Sequence, residues 1–160
     1  MGVRYKPAII DKIYVNAENH VLGRLASKVA KLALNGYEVH IVNSEKVVIT
    51  GKRDVILEEW KHKIIERGDW YKGPFYPKRP DKILRRVIKG MLPKSWRGRI
   101  AFSRVRTYIG VPEELKDMKF EVFADCIISE RIRKTKRKIW YVYLGEVSKH
   151  VGAKIPAKNL

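Results

Sequence analysis

Residues Ala8 to Asn43 leave the backbone little choice. Ala8–Asn16 (AIIDKIYVN) is rich in β-branched and aromatic residues and reads as a strand. A polar loop, Asn16–His20, follows, and the apolar spacing then becomes helical. Leu22, Leu25, Ala26, Val29, Leu32 and Ala33 fall on one stripe, with Arg24, Lys28, Lys31 and Asn35 opposite and Gly36 as the stop. Glu38–Asn43 (EVHIVN) is a second strand. Strand, one-sided helix and strand within about 35 residues predict two parallel strands joined by a right-handed crossover.

The same alternation continues. Val47–Thr50 is a third short strand; after Gly51 a helix runs to about Arg67, with Leu57, Trp60 and Ile64 on one side and Gly68 ending it. Asp81–Lys89 is a further helix, Ser95 stands where it would cap a short helix through Ser103, and Arg104–Ile109 returns as a strand before Gly110 and Pro112. This is an α/β chain with a small, largely parallel sheet covered by helices on both faces. The joint Asn43–Lys46 is too short for a parallel crossover, which needs about a dozen residues, so the third strand is expected to pair elsewhere or splay.

Charge is distributed unevenly. Lys72–Arg106 holds twelve Lys and Arg against one acid, Asp81, a net +11 in 35 residues. Within it, Ile83, Leu84, Val87, Ile88 and Met91 share one helical side, and Lys82, Arg85, Arg86 and Lys89 the other. Arg131–Lys138 (RIRKTKRK) adds six cations, so 17 of the 18 excess charges lie in 43 residues. A solvated face normally mixes signs, whereas a single-sign cluster repels itself unless a polyanion screens it. Pro74, Pro77, Pro80 and Pro93 with Trp70, Tyr71, Phe75, Tyr76 and Trp96 give extended loops carrying flat side chains suited to stacking on unpaired bases. Basic groups interleaved with aromatics point to nucleic acid, RNA first. Residues 1–112 are accordingly predicted as an α/β RNA-binding domain, and 113–160 as a C-terminal extension that packs on it and contacts RNA. Self-repulsion predicts that RIRKTKRK is mobile without RNA.

Chemistry-bearing patterns fail. Gly23 stands alone where a dinucleotide-binding turn needs three glycines, and Gly51-Lys52 lacks both the leading glycine and the following Ser or Thr of a phosphate loop. His20, His40, His62 and His150 are scattered, and Cys126 in FADCII reads as a small core residue. Glu58 with His62 and Glu59 with Lys63 are spaced as helix-surface pairs. No enzyme activity, cofactor or metal is expected. One cysteine, no bilayer-length apolar run and no signal-like apolar segment in Met1–Pro7 predict a soluble, cytoplasmic protein. The absence of Gln and the five Asn match the bias of proteins from hot environments.

Several short motifs carry a resemblance. Gly90-Met91-Leu92-Pro93, Gly98 and Tyr108-Ile109-Gly110 stand within Val87–Gly110; Leu22-Gly23-Arg24-Leu25-Ala26-Ser27 follows the first strand. Asn43-Ser44-Glu45-Lys46-Val47 leads to Thr50-Gly51-Lys52, and Leu144–Gly152 reads LGEVSKHVG. From about Asp11 onward the chain resembles the universal thirteenth protein of the large ribosomal subunit in its archaeal form. The resemblance implies a three-layer α/β/α fold with a four-stranded sheet. It also implies a non-catalytic role on large-subunit ribosomal RNA, with neighbouring ribosomal proteins as partners and no membrane; a homo-oligomer is not expected. By position it places Arg24, Lys28, Lys52, Arg53, the cations around GMLP, Lys149 and His150 toward RNA. The charge pattern adds Trp70, Tyr71, Lys72, Lys78, Arg79, Lys82, Arg85, Arg86, Lys89, Lys94, Trp96, Arg97, Arg99, Arg104 and Arg106, and from the second run Arg131, Arg133, Lys134, Lys136, Arg137 and Lys138. The competing classes are an RNA-processing enzyme, for which no catalytic set is visible, and a generic DNA-binding protein, for which no recognition motif is.

Overall fold

The computed structural model describes residues 11–136 and 138–154. Ala8–Ile10 of the first predicted strand, and Arg137, lie outside them. In chain order the elements are β1 (Lys12–Asn16), α1 (Leu22–Leu34), β2 (Glu38–Val42), β3 (Val48–Thr50), α2 (Arg53–Lys61), α3 (Pro80–Met91), α4 (Trp96–Ser103), β4 (Val105–Thr107), α5 (Ile128–Thr135), β5 (Tyr141–Tyr143) and α6 (Leu144–His150).

β1, β2 and β4 form a parallel sheet in the order β1-β2-β4, with Val15 opposite Ile41 and Val39 opposite Val105. Both crossovers step in the same direction, so right-handed connections lay their helices on one face. There α1 packs against α3 and α4. The α1 stripe is buried as its spacing predicts: Leu22, Leu25, Ala26, Val29 and Ala33 meet Val15, Val39 and Ile41 from the sheet and Ile83, Leu84 and Ile88 from α3. Each fully buried Leu, Ile or Val contributes about 1.5–3 kcal/mol relative to exposure. α1 has no acidic residue in its first turn and no side-chain cap, so packing rather than capping holds it.

Strand count and layering depart from the expectation of a four-stranded sheet between two helical layers. β3 leaves the parallel sheet and pairs antiparallel with β5, with Thr50 opposite Tyr141 and Val48 opposite Tyr143. The short link forces this. Asn43, left-handed at φ 56°, turns the chain through a 3-10 turn at Ser44–Lys46, which returns it beside the ends of the parallel strands rather than back to their starts. In place of a fourth strand, β1 makes one parallel bridge to Glu121, whose N–H donates to the Tyr14 carbonyl at 2.7 Å. The sheet face away from α1 carries Tyr14, His40 and Tyr108 in a row, with ring centroids 5.2 and 6.0 Å apart.

Two sequence motifs meet at the carboxyl ends of the strands. The Asn43 N–H donates to the Gly110 carbonyl and the Ser44 N–H to the Tyr108 carbonyl, while buried Glu45 accepts from the Gly110 N–H at 3.0 Å. The Asn43 side chain reaches Asn16 at 2.9 Å. NSEK and YIG therefore hold three strand ends together. Leu144 from the extension joins the main core, and Val142 and Val147 pack on Ile56 and Leu57 of α2.

Candidate nucleic-acid interface

The helix α3 begins with Pro80 at its first position and Asp81 in its first turn, both favourable at a helix N-terminus. Its apolar side is buried at Ile83, Leu84 and Ile88, half-buried at Val87, and exposed at Met91, one turn too far along to reach the core. The cationic side divides in a way the periodicity does not show. Lys82 and Lys89 are exposed, but Arg85 and Arg86 are half-buried. Arg85 lies 4.7 Å over the Phe102 ring; Arg86 lies 3.8 Å over Tyr76 and donates to the Phe75 carbonyl at 2.8 Å. These two arginines brace the proline-rich loop and α4 against α3, which corrects their expected placement as free exposed cations.

Ahead of α3, the chain closes a tight turn in which Asp69 and Gly73 exchange both backbone hydrogen bonds, at 3.0 and 3.1 Å. A side chain on Gly68 would meet the Gly73 backbone at 2.8 Å, so the turn closes this tightly only with glycine there. Trp70 and Tyr71 are held at its tip, each 85% exposed, with Phe75 close behind at 68%. These three rings leave most of their surface to solvent.

Within Lys72–Arg106 the ion pairs are Arg79–Asp81 and Arg106–Glu38, and Arg104 donates to the Ala33 carbonyl at the end of α1. Lys72, Lys78, Lys82, Lys89, Lys94, Arg97 and Arg99 are exposed and meet no carboxylate among the described residues. Trp96, 69% exposed, stands among them at the start of α4.

Elsewhere the predicted cations separate into tied and free. Arg24 donates to the Asp125 carbonyl and Lys28 to the Asp125 carboxylate at 3.1 Å, with Lys134 3.9 Å from the same group. The Lys28 hydrogen bond, then its charge and that of Lys134, hold the Asp125 carboxyl below its ordinary range. Arg53 donates to Glu146 at 2.6 Å and Arg133 to Glu130 at 2.9 Å. Lys52, Lys136, Lys138, Lys149 and His150 are exposed, without a carboxylate partner among the described residues. Among the described residues the Arg131 side chain donates to Thr50 alone. The first part of the second basic run, Arg131–Thr135, is helical within α5, where Ile128 and Ile132 pack on Val21 and Val48.

Cys126 is buried and unpaired, with its thiol pushed upward by desolvation. Glu59 pairs with Lys63 as spaced, but His62 takes Glu66 instead of Glu58, where a π-helical turn at His62–Glu66 follows α2. Trp140, Tyr141 and Tyr143, 59%, 41% and 40% exposed, were not singled out by the sequence, since a strand of aromatic residues looks like core. Among the described residues no His, Cys, Asp and Glu cluster suits a metal, and no helix is long and apolar enough to cross a membrane.

A small α/β chain with exposed, carboxylate-free cations and outward aromatic rings has the build of a ribosomal protein. The Ribosomal protein L13 family model matches residues 11–114, and the chain belongs to that family, one of structural proteins rather than enzymes. It is 50% identical over 143 residues to the large ribosomal subunit protein uL13 of Methanopyrus kandleri, covering 89% of this chain and 87% of the relative. The uL13 of Archaeoglobus fulgidus is 46% identical over 143 residues, covering 89% and 88%, and that of Methanosarcina barkeri 48% over 142 residues, covering 88% and 97%.

Proposed function

We propose that the chain is a structural component of the large subunit of the cytoplasmic ribosome that binds large-subunit ribosomal RNA and supports the subunit's assembly and stability. The observation that carries this reading is the set of seven exposed, carboxylate-free cations in Lys72–Arg106, beside the raised Trp70 and Tyr71. The names of the relatives point the same way. Lysines and arginines neutralise phosphates and release counterions, and the exposed rings stack on splayed bases. The RNA's own fold supplies the specificity, and selective binding favours that fold. Neighbouring large-subunit proteins are the remaining partners.

The test is the affinity of the purified protein for a large-subunit ribosomal RNA fragment as salt is varied. With six to ten phosphates engaged, affinity falls on the order of a thousandfold or more between 50 and 200 mM salt. A shallow dependence overturns the assignment of these cations as phosphate ligands.

A further inference from the structure

A groove of about 460 Å³ opens between the end of β3 and α5. Thr50 and Lys52 line one wall, Arg131 and Thr135 the other, and Lys138 and Trp140 close the end. Its walls are fixed. The Gly51 N–H donates to the Trp140 carbonyl at 2.8 Å, Thr50 is in register with Tyr141, and the Thr135 hydroxyl donates to the Arg131 carbonyl at 2.8 Å. Below, Ile132 and Ile139 pack on Val21, Val48 and Ile128, so both walls stand on one apolar base.

The lining has the chemistry of a nucleotide site. Three cations, Lys52, Arg131 and Lys138, converge with no acid in the lining and no carboxylate partner among the described residues, an arrangement that repels itself when empty. Arg131 is steadied by a long contact to the Thr50 hydroxyl, 3.5 Å, and its other donors point to no protein acceptor among the described residues. Trp140 is 59% exposed, and Lys138 Nζ lies over its ring, 4.5 Å from the centroid, so a base stacks on the face that the ammonium leaves open. The volume falls in the range of small-ligand pockets. The pocket beside Tyr143 mixes signs, with Glu18, Glu45 and Glu146 facing Lys46 and Lys149, whereas every charged residue lining the β3–α5 groove is a cation.

We propose that this groove receives a single unstacked nucleotide of the bound RNA, with its base on Trp140 and its phosphate among Lys52, Arg131 and Lys138. Thr50 and Thr135 face the sugar and base edge as hydrogen-bonding groups. The proposal rests on the RNA-binding reading above and adds a defined pocket to it, on the side of the chain that the resemblance marked through Lys52 and the charge pattern through the second basic run.

The experiment compares the full-length protein with Trp140→Ala and Trp140→Phe for affinity to large-subunit ribosomal RNA and for nucleotide-by-nucleotide 2′-hydroxyl acylation of the RNA. Wild type and Trp140→Phe change the reactivity of one flipped nucleotide. Trp140→Ala loses that signature and binds about 5- to 100-fold more weakly with its salt slope unchanged. Lys138→Ala instead lowers the slope by about one. Denaturant midpoints confirm that each variant is folded. Wild-type binding with Trp140→Ala indistinguishable in affinity and footprint overturns the groove proposal alone, whereas no wild-type binding overturns the RNA reading and the groove with it. Micromolar binding of free AMP by calorimetry, abolished in Trp140→Ala, assigns the groove to a soluble nucleotide and likewise overturns the proposal.

Discussion

Arg86 and Lys82 lie on the same helix and carry the same charge, yet their surroundings give them different work. Arg86→Ala removes a stacked guanidinium and its bond to the Phe75 carbonyl, and is expected to lower stability by about 1–2 kcal/mol in denaturant unfolding. Arg86→Lys does not restore it, because an ammonium lacks the planar stack. Lys82→Ala leaves the midpoint within about 0.5 kcal/mol and reduces the salt slope of RNA binding by about one. The division of α3 into an apolar and a cationic side was legible from spacing alone; which cations stay free was not, since that depends on Phe102 and Tyr76 arriving from other segments. His20 is a second case. It is fully buried, with Nδ1 2.9 Å from the Glu18 carbonyl and Nε2 accepting from the Phe123 N–H at 3.1 Å, so the neutral ring is the one that fits. Burial, the largest influence, lowers its pKa below the ordinary 6.5, and His40 shifts the same way through burial despite Glu38. The unfolded chain then binds more protons, so their contribution is complete above pH 6.5 and is lost as pH falls from 6.5 toward the folded values. Unfolding at pH 7.5 and 5.5 should show this loss, with a shallower slope in His20→Phe.

At the scale of elements, two glycines of the family motifs separate fold from surface. A side chain on Gly98, in the first turn of α4, would sit 1.9 Å from the Pro93 carbonyl oxygen, so α4 can lie against the preceding loop only with glycine there. Gly98→Ala is expected to cost more than about 2 kcal/mol, read from the thermal or denaturant midpoint. Gly90, in the last turn of α3, has nothing within 4 Å of where a side chain would begin. Gly90→Ala should stabilise the free protein by up to about 1 kcal/mol and weaken RNA binding, if the bare helix surface admits an RNA backbone. Of the elements themselves, α1 with its parallel neighbours, α3 and α4 could be read from local spacing to within a few residues. The break after α2 could not, because Leu57, Trp60 and Ile64 continue the helical period through the π-helical turn.

For the molecule as a whole, the extension is part of the core rather than an appendage to it. Truncation after Pro112 removes β5, Leu144 and the Val142–Val147 contacts with α2, and is expected to abolish cooperative unfolding in calorimetry; Leu144→Ala alone should cost about 2–5 kcal/mol. The partner of β3 was not legible because strand propensity says nothing about which distant segment completes a pair. What could be read was the negative, that four residues at Asn43–Lys46 do not return a chain to a parallel neighbour. The pairing also orders events in time. Tyr141 follows its partner Thr50 by 91 residues, so at about 5–20 residues per second β3 emerges from the translating ribosome on the order of 5–20 s before β5 does. During that interval the nascent chain presents an open strand edge at β3, and Leu144 of the core and the Trp140 wall of the groove are absent. The closed core and the Trp140 groove alike therefore belong to the finished chain.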